Sequence, residues 1–161
     1  MFKVAVITAS DKGSQGLRED ASGQVICDLM ERAGYEIHSK TILPDEKELI
    51  SAKLIDLADE KIDLVLTTGG TGFSMRDWTP EATLAVIERQ VPGIPEAMRS
   101  YSLQITKKAM LSRAVAGIRG QTLIINLPGS PKAVTECLEY ILEPLKHGLE
   151  ILKGSASECA R

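Results

Sequence analysis

Apolar residues follow two rhythms along this chain. Phe2 to Thr8 is a continuous apolar run rich in β-branched residues, and Ile62 to Thr68 is a second one. Runs of this kind mark strands buried on both faces, as in a parallel sheet. Between them the spacing turns helical. Val25, Ile26, Leu29 and Met30 define a helix over 23–32, stopped by Gly34. Leu49, Ile50, Leu54, Leu57 and Ala58 form the apolar stripe of another over 46–60. Residues 35–43 alternate more and read as a partly exposed strand, closed by Pro44-Asp45.

Beyond Thr68 the pattern predicts a helix over 79–90, with Thr79 as its N-cap and Pro80 in the first helical position. After the break at 91–95 comes a helix over 95–105. Segments 114–119 and 122–127 flank Gly120-Gln121, and a glycine first in a two-residue link suggests a type II′ hairpin. Pro128-Gly129-Ser130-Pro131 opens a last helical region. Pro144 is expected to break or kink it ahead of 145–153, and the residues after Gly154 read as a frayed tail. The order of elements predicts an α/β fold: a single three-layer αβα domain over 1–161, with a mostly parallel sheet and one antiparallel strand.

Parallel strands point one way, so the loops that follow them gather at one sheet edge. These loops are Ser10 to Gly13, Pro44-Asp45, Gly69 to Asp77 and Pro128 to Ser130, each rich in Gly, Ser, Thr or Asp. Four such loops at one edge describe a binding crevice. Thr68-Gly69-Gly70-Thr71-Gly72 has almost no side-chain bulk, so its N–H groups can approach a phosphate. The same glycines could instead serve only close packing. The loop lacks the Gly-Lys-Ser/Thr ending of a Walker loop, and no G-x-G-x-x-G follows the first strand.

Asp45 and Asp77 each have two readings. Either could cap the helix that follows, although Thr79 already supplies a cap beyond Asp77. Alternatively the two meet at the sheet edge and share Mg²⁺, whose shell often combines one or two carboxylates with substrate phosphates. Unscreened by a cation, two such charges repel by roughly 3 kcal/mol at an effective dielectric of 20. Ser130 is a cap for the helix at Pro131 or a ligand contact beside Lys132. Arg113 and Arg119 flank the hairpin strand and read as solvated surface, and Trp78 reads as a cover for a core edge or a stacking face.

Bulk properties narrow the partners. The 161 residues carry a net charge of −3 without a long Lys/Arg block, which argues against nucleic acid. Cys27, Cys137 and Cys159 form no C-x-x-C pair and read as reduced thiols of a cytoplasmic protein. The first apolar run is too short for a membrane span or secretory signal. His38 and His147 have no Ser, Cys or metal-spaced partner in sequence, and no Ser-His-Asp or H-E-x-x-H pattern occurs. Phosphoryl-group transfer needs none, because an ionised phosphate is already a nucleophile and placement does the rest.

Four separated motifs resemble the MogA/MoaB family of molybdenum cofactor biosynthesis and the gephyrin-type G domain. They are Leu66 to Gly72, Arg76 to Thr83, Leu111 to Gly120 and Asn126 to Ala133, with Ile42 to Glu46 and the start through Asp11 as further matches. The resemblance implies an enzyme, a nucleotidyltransferase that uses Mg-ATP to adenylylate molybdopterin and releases pyrophosphate. Asp45 and Asp77 fall on the family's essential aspartates and metal site. Substrate contacts are implied for Ser10, Asp11, Thr68, Gly69, Gly70, Thr71, Gly72, Ser112, Arg113, Gly117, Pro128, Gly129, Ser130 and Lys132. The resemblance further implies a homotrimer and a separate molybdotransferase downstream. Trp78 stands where a small aliphatic residue is usual. Two other function classes remain: a non-catalytic pterin-binding or scaffolding protein, and a nucleotide-phosphate hydrolase on a similar fold.

Overall fold

The computed structural model describes residues 1–155. In chain order the elements are β1 (Lys3–Ala9), a one-turn α1 (Asp11–Ser14), α2 (Ala21–Arg32), β2 (Glu36–Leu43), α3 (Lys47–Asp59) and β3 (Leu64–Thr68). Then come α4 (Thr79–Leu84), β4 (Arg89–Gln90), α5 (Gly93–Leu103), a 3₁₀ turn (Lys107–Leu111), β5 (Ala116–Arg119), β6 (Thr122–Leu127) and α6 (Pro131–Leu152).

The six strands form one sheet in the order β2-β1-β3-β6-β5-β4. β2, β1, β3 and β6 pair in parallel. β5 pairs antiparallel with both β6 and β4, so it alone runs against the rest, as the hairpin pattern predicts. Gly120 in the hairpin link has φ +58, the sign such a turn needs. Alternation along β1 sends Val4 and Val6 into a core with α2, α5 and α6, and Ala5, Ile7 and Ala9 into a second core with α3 and α4. A sheet covered on both faces is what the continuous apolar runs require.

Asn126 at the centre joins these layers. It donates to Thr67 and Thr83 Oγ1, both at 3.0 Å, and accepts from the Val115 N–H. Thr83 belongs to α4, so this buried network pins the helix that follows the Gly-rich loop.

Four local expectations need correction. The predicted helix over 79–90 ends at Leu84, because the Glu88 and Val91 N–H groups bond to the carbonyls of Ile118 and Ala116 on β5. Trp78, not Thr79, holds the N-cap position of α4, and its side chain makes no capping bond. Helix α6 runs through Pro144 without a break. Leu138, Ile141, Leu145 and Leu149 bury on both sides of that residue, and Pro144 itself faces solvent. Arg113 and Arg119 are not solvated surface. Arg119 donates to the Val86 carbonyl, and Arg113 makes the bonds described below.

Cys27 and Cys137 are buried free thiols. The expected frayed tail and Cys159 lie outside the described residues, apart from Ser155, which bonds to Glu150 O. Among the described residues no helix is long and apolar enough to cross a membrane.

Candidate active site

The C-terminal ends of β1, β2, β3 and β6 lie side by side, so their following loops converge. Together they line a polar cavity of about 390 Å³. Ser10 and Gly13 come from the first loop, Asp45 from the second, Gly69, Gly70 and Asp77 from the third, and Gly129 and Pro131 from the fourth. Thr8, Arg18, Glu19 and Asp20 complete the wall. Sequence reasoning passed over that last group. The available signal is Asp20, an N-cap residue type just ahead of the helix pattern over 23–32. In the structure Asp20 caps α2 by accepting from the Gly23 N–H, and it also accepts from Thr8 Oγ1.

Neither catalytic candidate is a helix cap. Glu46 holds the cap position of α3 and makes no side-chain bond. The carboxylates of Asp45 and Asp11 instead trade backbone bonds: Asp11 N–H donates to Asp45 Oδ2 and Asp45 N–H to Asp11 Oδ1, each at 2.9 Å. Asp77 Oδ2 accepts from the Ser74 N–H at 3.0 Å, closing the loop on itself.

Arg76 reaches 65 residues back in the chain to Asp11 with a bidentate pair at 2.9 and 3.0 Å. This guanidinium and the Asp45 N–H hold the Asp11 carboxyl below its ordinary value. Asp45 behaves oppositely. Burial raises its carboxyl most, and the charges of Asp11 and Asp77 add to that against the downward pull of the Asp11 N–H.

Two glycines make the wall thin. Gly69 has φ +86, and its Cα lies so close to the end of β1 that a Cβ would stand 2.5 Å from Ala9 O. Gly70 has φ +70 and faces Asp45, whose Oδ1 would stand 3.4 Å from a Cβ built there. Both conformations favour glycine, and both leave backbone open toward the cavity.

The remaining candidates divide. Ser112 and Pro128 line a second, apolar cavity of about 210 Å³ with Met98, Ala109, Ala114 and Ala133. Pro128 lines the apolar cavity and Gly129 the polar one, and Thr68 Oγ1 holds this turn by donating to Pro128 O at 2.6 Å. Gly72 and Arg113 line a shallow hollow beside Asp77, with Trp78, Phe73 and Met75. Trp78 is 43% exposed, so it walls this hollow rather than covering a core edge. Arg113 ties the site's third loop together by donating to Gly72 O, to Asp77 O and, from Nη1 alone, to both carboxylate oxygens of Glu81, each at 2.8 Å.

Thr71 is buried and gives its carbonyl to Arg113 N–H. Ser130 caps α6 by accepting from Ala133 N–H, and Lys132 beside it is exposed. Gly117 sits within β5 opposite Gln90 and Ile124, where a Cβ would meet Arg89 O at 2.7 Å. Ser130, Lys132, Thr71 and Gly117 line none of the three hollows just described.

The donor chemistry at the sheet edge suits a hard cation. Among the described residues no group of three or more His, Cys, Asp or Glu is arranged to hold a metal. A half-buried carboxylate whose charge is opposed by a second one on the same wall fits an ion that takes its other ligands from phosphate and water.

Comparison with known proteins places the chain in a family. The family model described as "Probable molybdopterin binding domain" matches residues 5–147. The molybdopterin adenylyltransferase of Helicobacter pylori (strain J99) is 44% identical over 156 residues, covering 94% of this chain and 88% of that protein. Its counterpart from Escherichia coli (strain K12) is 43% identical over 144 residues, covering 87% and 73%. The crystal structure of the molybdopterin biosynthesis enzyme MoaB from Thermus thermophilus superposes with a TM-score of 0.91. That relative is 46% identical, with 96% of this chain and 98% of that chain covered.

Proposed function

This chain belongs to the family of probable molybdopterin binding domains, and we propose that it is an enzyme of molybdenum cofactor biosynthesis that adenylylates molybdopterin. One observation supports this above all. Both aspartates are free of helix-capping duty and line one cavity with Gly69 and Gly70. Relatives named molybdopterin adenylyltransferase support the chemistry.

The substrates are ATP and molybdopterin. The terminal phosphate oxygen of molybdopterin attacks the α-phosphorus of ATP. A new P–O bond forms, the bond from that phosphorus to the bridging oxygen breaks, and pyrophosphate leaves with the electron pair. Both reactants are anions, so the site must offset their repulsion. Asp45 and Asp77 would hold Mg²⁺, which supplies charge neutralisation on the phosphates when bound. Gly69 and Gly70 let phosphate approach the backbone closely, and Ser10 and Arg18 stand on the same wall. The apolar cavity beside Ser112 and Pro128 accepts a flat ring, with the phosphate end crossing the Pro128–Gly129 turn into the polar cavity. Asp11, Arg113, Ser130 and Lys132 act at the margins, Asp11 by fixing Asp45 and Arg113 by holding the third loop.

We further read the working assembly as a homotrimer in the cytoplasm that passes adenylylated pterin to a separate molybdotransferase. The direct test mixes protein, Mg-ATP and molybdopterin and follows pyrophosphate and adenylylated pterin. Both should appear together, and Asp77→Asn should abolish them while pterin binding persists. Normal turnover in Asp77→Asn removes the metal assignment. Pterin bound without turnover identifies a binding protein, and nucleotide consumed without pterin identifies a hydrolase.

A further inference from the structure

The hydroxyl of Thr79 has no task in the site so far. Thr79 is 0% exposed, and its Oγ1 is one of the buried side-chain oxygens without a hydrogen-bond partner. The ordinary reasons for a threonine at a helix start do not apply. The cap position belongs to Trp78. The bond linking this residue to the next turn uses its carbonyl, which accepts from Thr83 Oγ1. Shape alone would be met by valine, which strands no polar atom. A buried hydroxyl without a partner destabilises a fold, so this one answers to something other than folding.

Its surroundings point to that demand. The Thr79 N–H donates to Gly70 O at 3.2 Å, which seats the residue directly beneath the Gly-rich loop. A Cβ on Gly70 would collide with Thr79 Oγ1 and stand 3.4 Å from Asp45 Oδ1. The hydroxyl and the carboxylate oxygen therefore face the same bare Cα. Asp45 Oδ2 is committed to the Asp11 N–H. That leaves Oδ1, an acceptor, on the side of a hydroxyl that has a proton to donate. Gly70 carries no side chain, so no Cβ stands between Asp45 Oδ1 and the hydroxyl.

We propose that Thr79 is a positioning residue for Asp45: in the loaded site its hydroxyl donates to Asp45 Oδ1 and fixes how the carboxylate is presented to the metal. The proposal rests on the adenylyl-transfer reading and extends it to a residue buried behind the cavity wall. Partners that orient a ligating carboxylate typically change metal affinity or activity by about 10- to 100-fold when removed.

The test compares Thr79→Val with Thr79→Ser in the full-length protein. Without metal, Thr79→Val should unfold at or above the wild-type temperature, since it removes an unpartnered polar atom. Mn²⁺ titrated with a non-hydrolysable ATP analogue, read by electron paramagnetic resonance, should bind at least about 10-fold more weakly to Thr79→Val and near normally to Thr79→Ser. In turnover, kcat should fall by at least about 10-fold while the KM for molybdopterin stays within about twofold. Wild-type Mn²⁺ affinity and kcat in Thr79→Val overturn the proposal. So does equal loss in both variants, or a loss accompanied by a lower unfolding temperature, which marks a structural role. Wild-type protein that binds no Mn²⁺ overturns it as well. Wild-type protein that takes Mn²⁺ and nucleotide but releases no pterin-dependent pyrophosphate sinks the adenylyl-transfer reading, and the Mn²⁺ titration still decides Thr79.

Discussion

Asp45 illustrates how one residue can oppose stability in order to serve a site. Burial and two neighbouring carboxylates hold its carboxyl above the ordinary value. A folded-state value above the unfolded one means that the folded protein binds the proton more tightly. The contribution of Asp45 to stability is therefore greatest while it is protonated, and it declines as pH rises from the ordinary carboxylate range through the raised value. Asp45→Asn keeps an oxygen for the Asp11 N–H and removes the charge. At neutral pH without metal, the variant should unfold at or above the wild-type temperature, by circular dichroism. The difference should close as pH falls below the ordinary carboxylate range. Adding Mg-ATP should raise the unfolding temperature of wild type and not of the variant. A variant markedly less stable at neutral pH contradicts this account.

At the scale of elements, local pattern was reliable where burial is continuous and misled where distant groups intervene. Strands β1, β3 and β6 follow their apolar runs because both faces are covered. Helix α4 is shorter than its pattern because β5, a strand far downstream in the chain, claims the N–H groups of Glu88 and Val91. Helix α6 outlasts Pro144 because its buried stripe against α2 and α5 outweighs one lost backbone bond. That helix also carries an avoidable weakness. Gly148 is exposed, and a Cβ there would meet nothing within 4 Å. Gly148→Ala should stabilise by up to about 1 kcal/mol, a rise of about 2–4 °C in unfolding temperature. No rise would show that the helix end is constrained by something other than helix propensity.

For the whole molecule, the sheet order does the assembling. Strands β2, β1, β3 and β6 are adjacent and parallel, so four loops far apart in sequence meet at one edge. Pro128 lines an apolar hollow and Gly129 the polar one, the two hollows that the proposed reaction assigns to the ring and the phosphate of its substrate. Phe73 and Met75 are exposed beside one hollow, and Met110 and Leu111 are exposed as well. The homotrimer reading predicts a sedimentation mass three times the chain's 17.4 kDa. A mass equal to one chain at micromolar concentration removes it.

Sequence by itself determined the α/β class, the order of the main strands and helices through β3, and hence the edge at which Asp45, Asp77 and the Gly-rich loop gather. It could do so because burial on both faces writes itself into continuous apolar runs, and parallel strands leave their loops on one side. Tertiary structure alone decided what each polar group does there. Local spacing offered Asp45, Asp77 and Thr79 as helix caps, and none of the three is one. Asp45 is held from Asp11, 34 residues away, and Asp11 from Arg76, 65 residues away. Thr79 is left with a buried, unpartnered hydroxyl beside Gly70. Caps are contacts between near neighbours and can be read from spacing. These assignments depend on chain segments that only the folded sheet brings within hydrogen-bond reach.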